Sequence, residues 1–352
     1  MTDIGWTWSH DEPDLAVMAL WLERKPGEGE DAQPSFVFDP SRGTGMLATY
    51  DGTGGSGSAA VRTTSSGREI SGAKVAARLA RHATESWFAE SLEAHQPDLA
   101  PEAQLHDALL HRMDIESQRG LQSSDRFTGS LKRELPTTLA ATAFHTDGTM
   151  LSIASLWAGD SRCHVLTPGS GLQQLTVDDS PVTDALEAII TDAPMTNLVC
   201  ADREFTINRL NTVVAQPAVL VSSTDGCFGY VATPAHFEYL ILQGLQAANS
   251  IDDWGQAILA QLDRFTGDDA SLVVVAIGWP SFNHLRQSFE ARTQHLHAEH
   301  WAPFAGITGA DRDRLNTARA DSWSTYRPLY EQHLPRLVPP EHSPAQGGSA
   351  QP

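Results

Sequence analysis

Apolar positions along the chain fall into two patterns. Continuous short runs at residues 15–22 (LAVMALWL), 46–50 (MLATY), 218–224 (AVLVSST) and 271–277 (SLVVVAI) are bounded by turn formers, which predicts strands. Apolar residues spaced near 3.6 predict helices. One covers residues 73–94 through Val75, Leu79, Ala83, Trp87 and Leu92, a second covers 101–117 through Leu105, Leu109, Leu110 and Met113, and a third covers 251–265. Between residues 137 and 176 strand-like runs alternate with turn signals and read as an antiparallel meander. Residues 23–35 are polar and rich in turn formers, a flexible loop, while 178–211 carry no single period. Beyond Pro280 a helical pattern on Leu285, Phe289 and Leu296 is followed by a weaker one to about residue 337 and a Pro/Gly/Gln-rich end expected to be disordered. There is no internal repeat.

Composition narrows the function classes. The chain has 352 residues, long enough for one large core, and 41% hydrophobic with 19% charged residues is ordinary globular usage. Its 24 Lys and Arg against 44 Asp and Glu leave a net charge of −20, which repels a phosphate backbone and argues against a nucleic-acid partner. An anionic substrate would therefore need a local attractor such as a metal ion or an arginine. Cys163, Cys200 and Cys227 are odd in number and lack C-x-x-C spacing, which excludes a disulfide framework and a structural zinc site. No run approaches the ~18 apolar residues of a membrane span, and the acidic N-terminal stretch does not resemble a signal peptide. The expectation is a soluble cytoplasmic protein with no membrane partner.

Four times an apolar run meets an Asp beside a Gly: Asp51-Gly52, Gly159-Asp160, Asp225-Gly226 and Gly267-Asp268. Such pairs are also plain turn chemistry, as Asp147-Gly148 between two strand-like runs illustrates. If the strands end at one edge, however, the carboxylates converge, and several cannot stay ionised together without a counter-charge. Oxygen-only donors favour Mg or Mn, and a binuclear centre of that kind polarises phosphoryl groups.

The segments ATYDGTGGSG, TTLAATAF with LSIASLWAGDSRCHVLTPGSGLQQLT, VLVSSTDGCFGYV and GDDASLVVVAI, in that order, resemble the metal-dependent serine/threonine protein phosphatases of type 2C. The resemblance spans about residues 14–277, and GDSR followed by a short hairpin and QLT is its most specific piece. It implies an α+β fold: a four-layer αββα sandwich of two antiparallel sheets flanked by helices, here with a C-terminal helical extension. The corresponding division is a catalytic domain at 1–280, a helical extension at 281–338 and a disordered tail at 339–352. It implies two Mg or Mn ions and a third, weaker position. Asp51 would bridge two ions and orient the attacking water together with Asp225, the Gly52 carbonyl would bind one ion, Asp225 and Asp268 would complete the first site, and Asp160 would serve the third. The implied substrate is a phosphoserine- or phosphothreonine-bearing protein.

The family pattern near the N-terminus has an arginine that grips the substrate phosphate and then an Asn-Glu-Asp-like cluster. Here Trp8-Ser9-His10-Asp11-Glu12-Pro13-Asp14 stands there, with Asp14 as the match to the cluster's Asp and no arginine before it. Arg42 and Arg62, flanking the Asp51 loop, are candidate replacements, each equally readable as a solvated surface residue. Thr53 replaces the His of some members, and Pro136 a glycine. The missing arginine motivates an alternative: a pseudophosphatase that binds a phosphorylated partner without turnover. Outside this set, His295, His297 and His300 read as a solvated helix face, Cys227 as a small core residue, and Glu28 to Asp31 as a solvated acidic loop. The extension after Pro280 is a candidate docking or autoregulatory element.

Overall fold

The computed structural model describes residues 5–63, 67, 69–94, 98–120, 133–191 and 193–335. Strands β1 (Gly5–Glu12) and β2 (Leu15–Leu22) form one hairpin, and β3 (Ser35–Asp39) and β4 (Thr44–Thr49) another. The single turn α1 (Gly54–Gly57) and the ribbon β5 (Ala60–Thr63) and β6 (Glu69–Ser71) lead into α2 (Gly72–Glu93) and α3 (Glu102–Gly120). There follow β7 (Leu139–Thr146), β8 (Met150–Ala158), β9 (Arg162–Thr167), β10 (Gly171–Gln174), α4 (Ala185–Ile190), β11 (Asn208–Ala215) and β12 (Ala218–Ser223). Next come α5 (Asp225–Phe228), α6 (Pro234–Ala247), α7 (Ile251–Phe265) and β13 (Ala270–Ile277). Beyond them lie α8 (Phe282–Ser288), α9 (Glu290–Leu296), a π-helical turn (His297–Trp301), a 3₁₀ turn (Ala302–Phe304) and α10 (Arg312–Tyr330).

Two antiparallel sheets, ordered β1-β2-β13-β12-β9-β10 and β11-β8-β7-β4-β3, pack face to face. The alternation of side chains explains the runs without alternating polarity. In β2, Leu15, Val17 and Ala19 face the other sheet with Val273, Val275 and Leu220, while Met18, Leu20 and Leu22 face helices. Both faces of the central strands are buried, so LAVMALWL and SLVVVAI have no polar side. A second helical layer forms on the other sheet, where Ala76, Ala80, Ala83 and Trp87 of α2 and Leu105, Leu109 and Met113 of α3 cover Met46, Ala141 and Leu156. The four layers expected from the resemblance are therefore present. Ser71 caps α2, accepting from Lys74 N at 3.2 Å, and Ser250 caps α7, accepting from Asp253 N at 3.1 Å.

Two sequence readings change. The strands from residue 139 to 174 do not form one meander: β7 and β8 belong to one sheet and β9 and β10 to the other, and the chain crosses between sheets at Gly159-Asp160. Residues 178–211 hold α4 and the start of β11, which pairs with β8. The segment after β13 shares the core of α6 and α7 through Phe282, Leu285, Phe289, Leu296, Trp323, Tyr326 and Tyr330. Residues 339–352, expected to be disordered, lie outside the described residues. No helix among the described residues is long and apolar enough to cross a membrane.

Candidate metal centre

One end of the sandwich collects the strand ends that carry carboxylates. Leu22 pairs with Ala270, Ser223 with Leu272 and Arg162, and Thr49 with Ala140, so Asp268, Asp225, Asp160 and Asp51 all emerge at that end. Just beneath them the sheets are tied together: Ser222 Oγ lies 2.8 Å from Thr49 Oγ1 and donates to Ala140 O at 2.9 Å. Two glycines are required by backbone approach. A Cβ on Gly52 would lie 2.6 Å from Glu30 O and 2.8 Å from Ala73 O, and one on Gly226 would overlap Asp269 O. The first contact seats the 23–31 loop against Asp51, and the second seats the 266–269 loop against Asp225.

The 23–31 loop brings a carboxylate that the sequence reading left in solvent. Asp31 is 2% exposed, its Oδ2 accepts from Thr224 Oγ1 at 2.9 Å, and its side chain faces Asp269, Asp225 and Asp51. Asp269 clasps the loop, accepting from Arg24 N at 2.7 Å and Glu30 N at 2.6 Å. Asp51, Asp160 and Asp225 lie half-buried beside Asp31, and Asp268 stands on the exposed rim.

Electrostatics show what this costs. Burial first, then Asp31, Asp225, Asp160 and Asp268, push the Asp51 carboxyl well above the usual range. Burial and then Asp269 raise Asp31 well above it, and burial and then Asp225 do the same for Asp160. Asp225 is pushed up to about 6 by burial first and then by the charge of Asp268. Among the described residues no salt bridge reaches Asp31, Asp51, Asp160, Asp225 or Asp268; the nearby guanidinium of Arg162 is taken up by Asp178.

The structure does not bring all predicted residues here. Asp14 sits in the β1–β2 turn, where its N donates to Trp279 O and its O accepts from Gly278 N, both at 3.0 Å. That is the far end of β13, about 25 Å from Asp268 at the rise of a strand. The run LAVMALWL is the second strand of a hairpin, so its start points away from the cluster, and Glu30-Asp31 holds the place that the reading gave to Asp14. Arg42 lies in the β3–β4 turn, at the other end of β4 from Asp51, bonded to Leu92 O and 3.4 Å from Asp39. Arg62 on β5 donates from Nε to Glu116 at 2.7 Å. Neither faces the carboxylates. Arg24 is tied to the rim by its backbone, which donates to Asp269, while its half-exposed side chain reaches Asp263 on α7 at 3.8 Å.

The donor set fits a hard divalent cation in chemistry. It is all oxygen, strongly anionic and, among the described residues, reached by no salt bridge, and Asp160 Oδ1, Thr53 Oγ1 and Ser223 Oγ around it are buried without hydrogen-bond partners. Yet among the described residues no three His, Cys, Asp or Glu side chains stand close enough to hold an ion as placed. Bare like charges repel, and closing the shell needs the cation.

Elsewhere, His300 is buried with Nδ1 2.9 Å from Ser322 Oγ, correcting the solvated-face reading, whereas His295 and His297 are exposed. Cys163, Cys200 and Cys227 are free and buried.

No family model and no curated protein matches the chain. Solved structures do. The chain is similar to PppA, a key regulatory component of T6SS in Pseudomonas aeruginosa, with 15% identity, 78% of this chain and 99% of that one covered, and a TM-score of 0.47. It is also similar to the Mycobacterium tuberculosis serine/threonine phosphatase PstP/Ppp, with 17% identity, 78% and 98% coverage and a TM-score of 0.48. A third similar structure is RsbX in complex with magnesium, with 13% identity, 77% and 100% coverage and a TM-score of 0.44.

Proposed function

We propose that the chain is a divergent type 2C phosphatase, a metal-dependent phosphomonoester hydrolase acting on phosphoserine or phosphothreonine in a protein. The observation that carries the reading is the convergence of Asp31, Asp51, Asp160, Asp225 and Asp268, from five separate segments, into one uncompensated cluster at a sheet end. Asp31, Asp51, Asp225 and Asp268, with the Gly52 carbonyl, would hold two Mg or Mn ions, and Asp160 a third. Bound ions of this kind supply Lewis-acid polarisation of a phosphoryl oxygen and a more acidic water.

The chain's own residues do the rest. Arg24, held near the rim by its backbone bond to Asp269 and only loosely paired at its side chain, is the candidate to grip the phosphate, a task that suits a guanidinium because it presents two parallel donors.

The test is Mn- or Mg-dependent hydrolysis of p-nitrophenyl phosphate and a phosphothreonine peptide, with Asp51→Asn and Asp225→Asn alongside. Each variant should lose at least about 10³-fold in kcat while keeping its fold. Normal turnover in either would sink the proposal. A second reading, the phosphate-binding pseudophosphatase, is favoured by the lack of an arginine in the stretch Trp8-Ser9-His10-Asp11-Glu12-Pro13-Asp14. It predicts phosphopeptide binding with no turnover at any metal concentration.

A further inference from the structure

Three large aromatic side chains that the fold leaves exposed stand around one pocket. Tyr230, two residues after α5, is 49% exposed, Phe265 at the end of α7 is 36% exposed, and Trp301 at the end of the π-helical turn is 44% exposed. With His236 and Leu240 of α6 they line a cavity of about 410 Å³. Aromatic side chains grouped at a surface are the kind that carry most of the energy of a protein contact. These are held in place. The Trp301 ring packs 4.8 Å from that of Tyr239 and 5.1 Å from that of His236, and His236 Nδ1 lies 2.8 Å from Thr233 Oγ1. Tyr230 packs so closely on Gly267 that a Cβ there would lie 2.8 Å from its ring.

The pocket adjoins the carboxylate centre. Gly267 directly precedes Asp268, and α5, which leads to Tyr230, begins at Asp225. Thr266 joins the two segments, its Oγ1 donating to Gly226 O at 2.8 Å. The segments that carry Asp225 and Asp268 into the cluster therefore continue as walls of the pocket, and Trp301, from the segment after β13, supplies another. The charge of the pocket runs against that of the molecule. The chain has 44 acids to 24 Lys and Arg, yet no acid lines this cavity. Its one cation is Arg264, whose exposed side chain makes no ion pair or hydrogen bond among the described residues. Aromatic walls beside an unengaged guanidinium suit a large apolar side chain flanked by a carboxylate.

We propose that this pocket docks the phosphoprotein: a large apolar side chain seats among Tyr230, Phe265 and Trp301, an acidic residue beside it pairs with Arg264, and the phosphorylated residue of the same segment reaches the carboxylate centre. This rests on the phosphoprotein reading of that centre. Because Tyr230 covers the residue next to Asp268, the apolar anchor lies within about five residues of the phosphorylated one, roughly 17 Å of extended chain. The segment after β13 then takes part in substrate choice through Trp301.

The test uses the full chain with Mn and labelled Ser/Gly peptides that carry a non-hydrolysable phosphonate analogue of phosphothreonine and an Asp-Phe-Asp triplet moved stepwise along either side. Fluorescence anisotropy reads binding without turnover. At the best spacing the Phe peptide should bind about tenfold tighter than its Asp-Ser-Asp counterpart. Trp301→Ala should abolish that advantage and leave hydrolysis of p-nitrophenyl phosphate, too small to reach the pocket, unchanged. Arg264→Glu should weaken the Phe peptide several-fold, and Trp8→Ala, which removes an exposed tryptophan of β1, should not. If Trp301→Ala does not fold, Arg264→Glu decides alone, since its side chain has no partner to lose. Equal binding of the Phe and Ser peptides at every spacing, or a full Phe advantage in folded Trp301→Ala, would overturn the proposal whether or not the protein turns substrate over. No hydrolysis of any phosphopeptide, with the Phe advantage intact, would overturn the hydrolase reading and leave the docking site standing.

Discussion

Burial first and then the charge of Asp268 lift the Asp225 carboxyl to about 6 in the metal-free protein. The unfolded chain releases that proton near the ordinary value of about 3.8, so folding loses stability as pH rises from about 4 through 6. Asp225→Asn removes the repelled charge. In chelator at pH 7 the variant should therefore be more stable than the unsubstituted protein, by about 1–3 kcal/mol. Saturating Mn should raise the melting temperature of the unsubstituted protein by several degrees and that of the variant hardly at all. Melting curves with chelator and with Mn check both signs, and a variant destabilised in chelator contradicts the account. At this scale the sequence was legible where an Asp follows an apolar run directly, as at Asp51 and Asp225. Asp31 was not, because three residues of loop separate it from β3 and a backbone contact at Gly52, absent from any periodicity, carries it into the cluster.

Among the elements, strands buried on both faces and helices with one apolar stripe were legible from their patterns. α6 was not, because Phe237, Leu240, Ile241, Leu242 and Leu245 leave little polar face to mark a period. The crossing at Gly159-Asp160 was hidden because a turn within a sheet and a turn between sheets use the same residues. The elements after β13 and the histidines they cover carry an acid sensitivity of their own. Burial lowers His300 to about 4, with His295 and Arg292 adding to it, and lowers His236 to about 4, with His300 and Arg319 adding. Burial and then Arg162 hold His164 well below its usual range. A histidine whose folded value is depressed binds fewer protons than the unfolded chain between about 4 and 6.5, so stability is lost as pH falls through that window. For His300 the loss reaches about 2 kcal/mol at pH 5. His300→Gln, which still reaches Ser322 but does not titrate, should narrow the gap between urea midpoints at pH 7 and pH 5. An unchanged gap would show that this group does not titrate as described.

Taken whole, the molecule carries 20 excess negative charges and gathers Asp31, Asp51, Asp160, Asp225 and Asp268 at one end of the sandwich. Peptides with Lys or Arg around the phosphorylated residue should be turned over with higher kcat/KM than acidic ones, by several-fold at low ionic strength, with the advantage shrinking as salt is raised. A preference that ignores salt would place the selectivity in contacts and not in the field.

The site also straddles a seam. Asp51 hangs from one sheet, Asp225 and Asp268 from the other, and Asp160 from the strand that passes between them. A cation lodged there works as a rivet through two plates, and sliding of one sheet over the other by an ångström would misalign the hole. The Thr49–Ser222 bond beneath it is the dowel that keeps the plates in register. Drift in the apolar interior between the sheets, far from any substrate, would thus surface first as weakened metal affinity and only later as loss of fold.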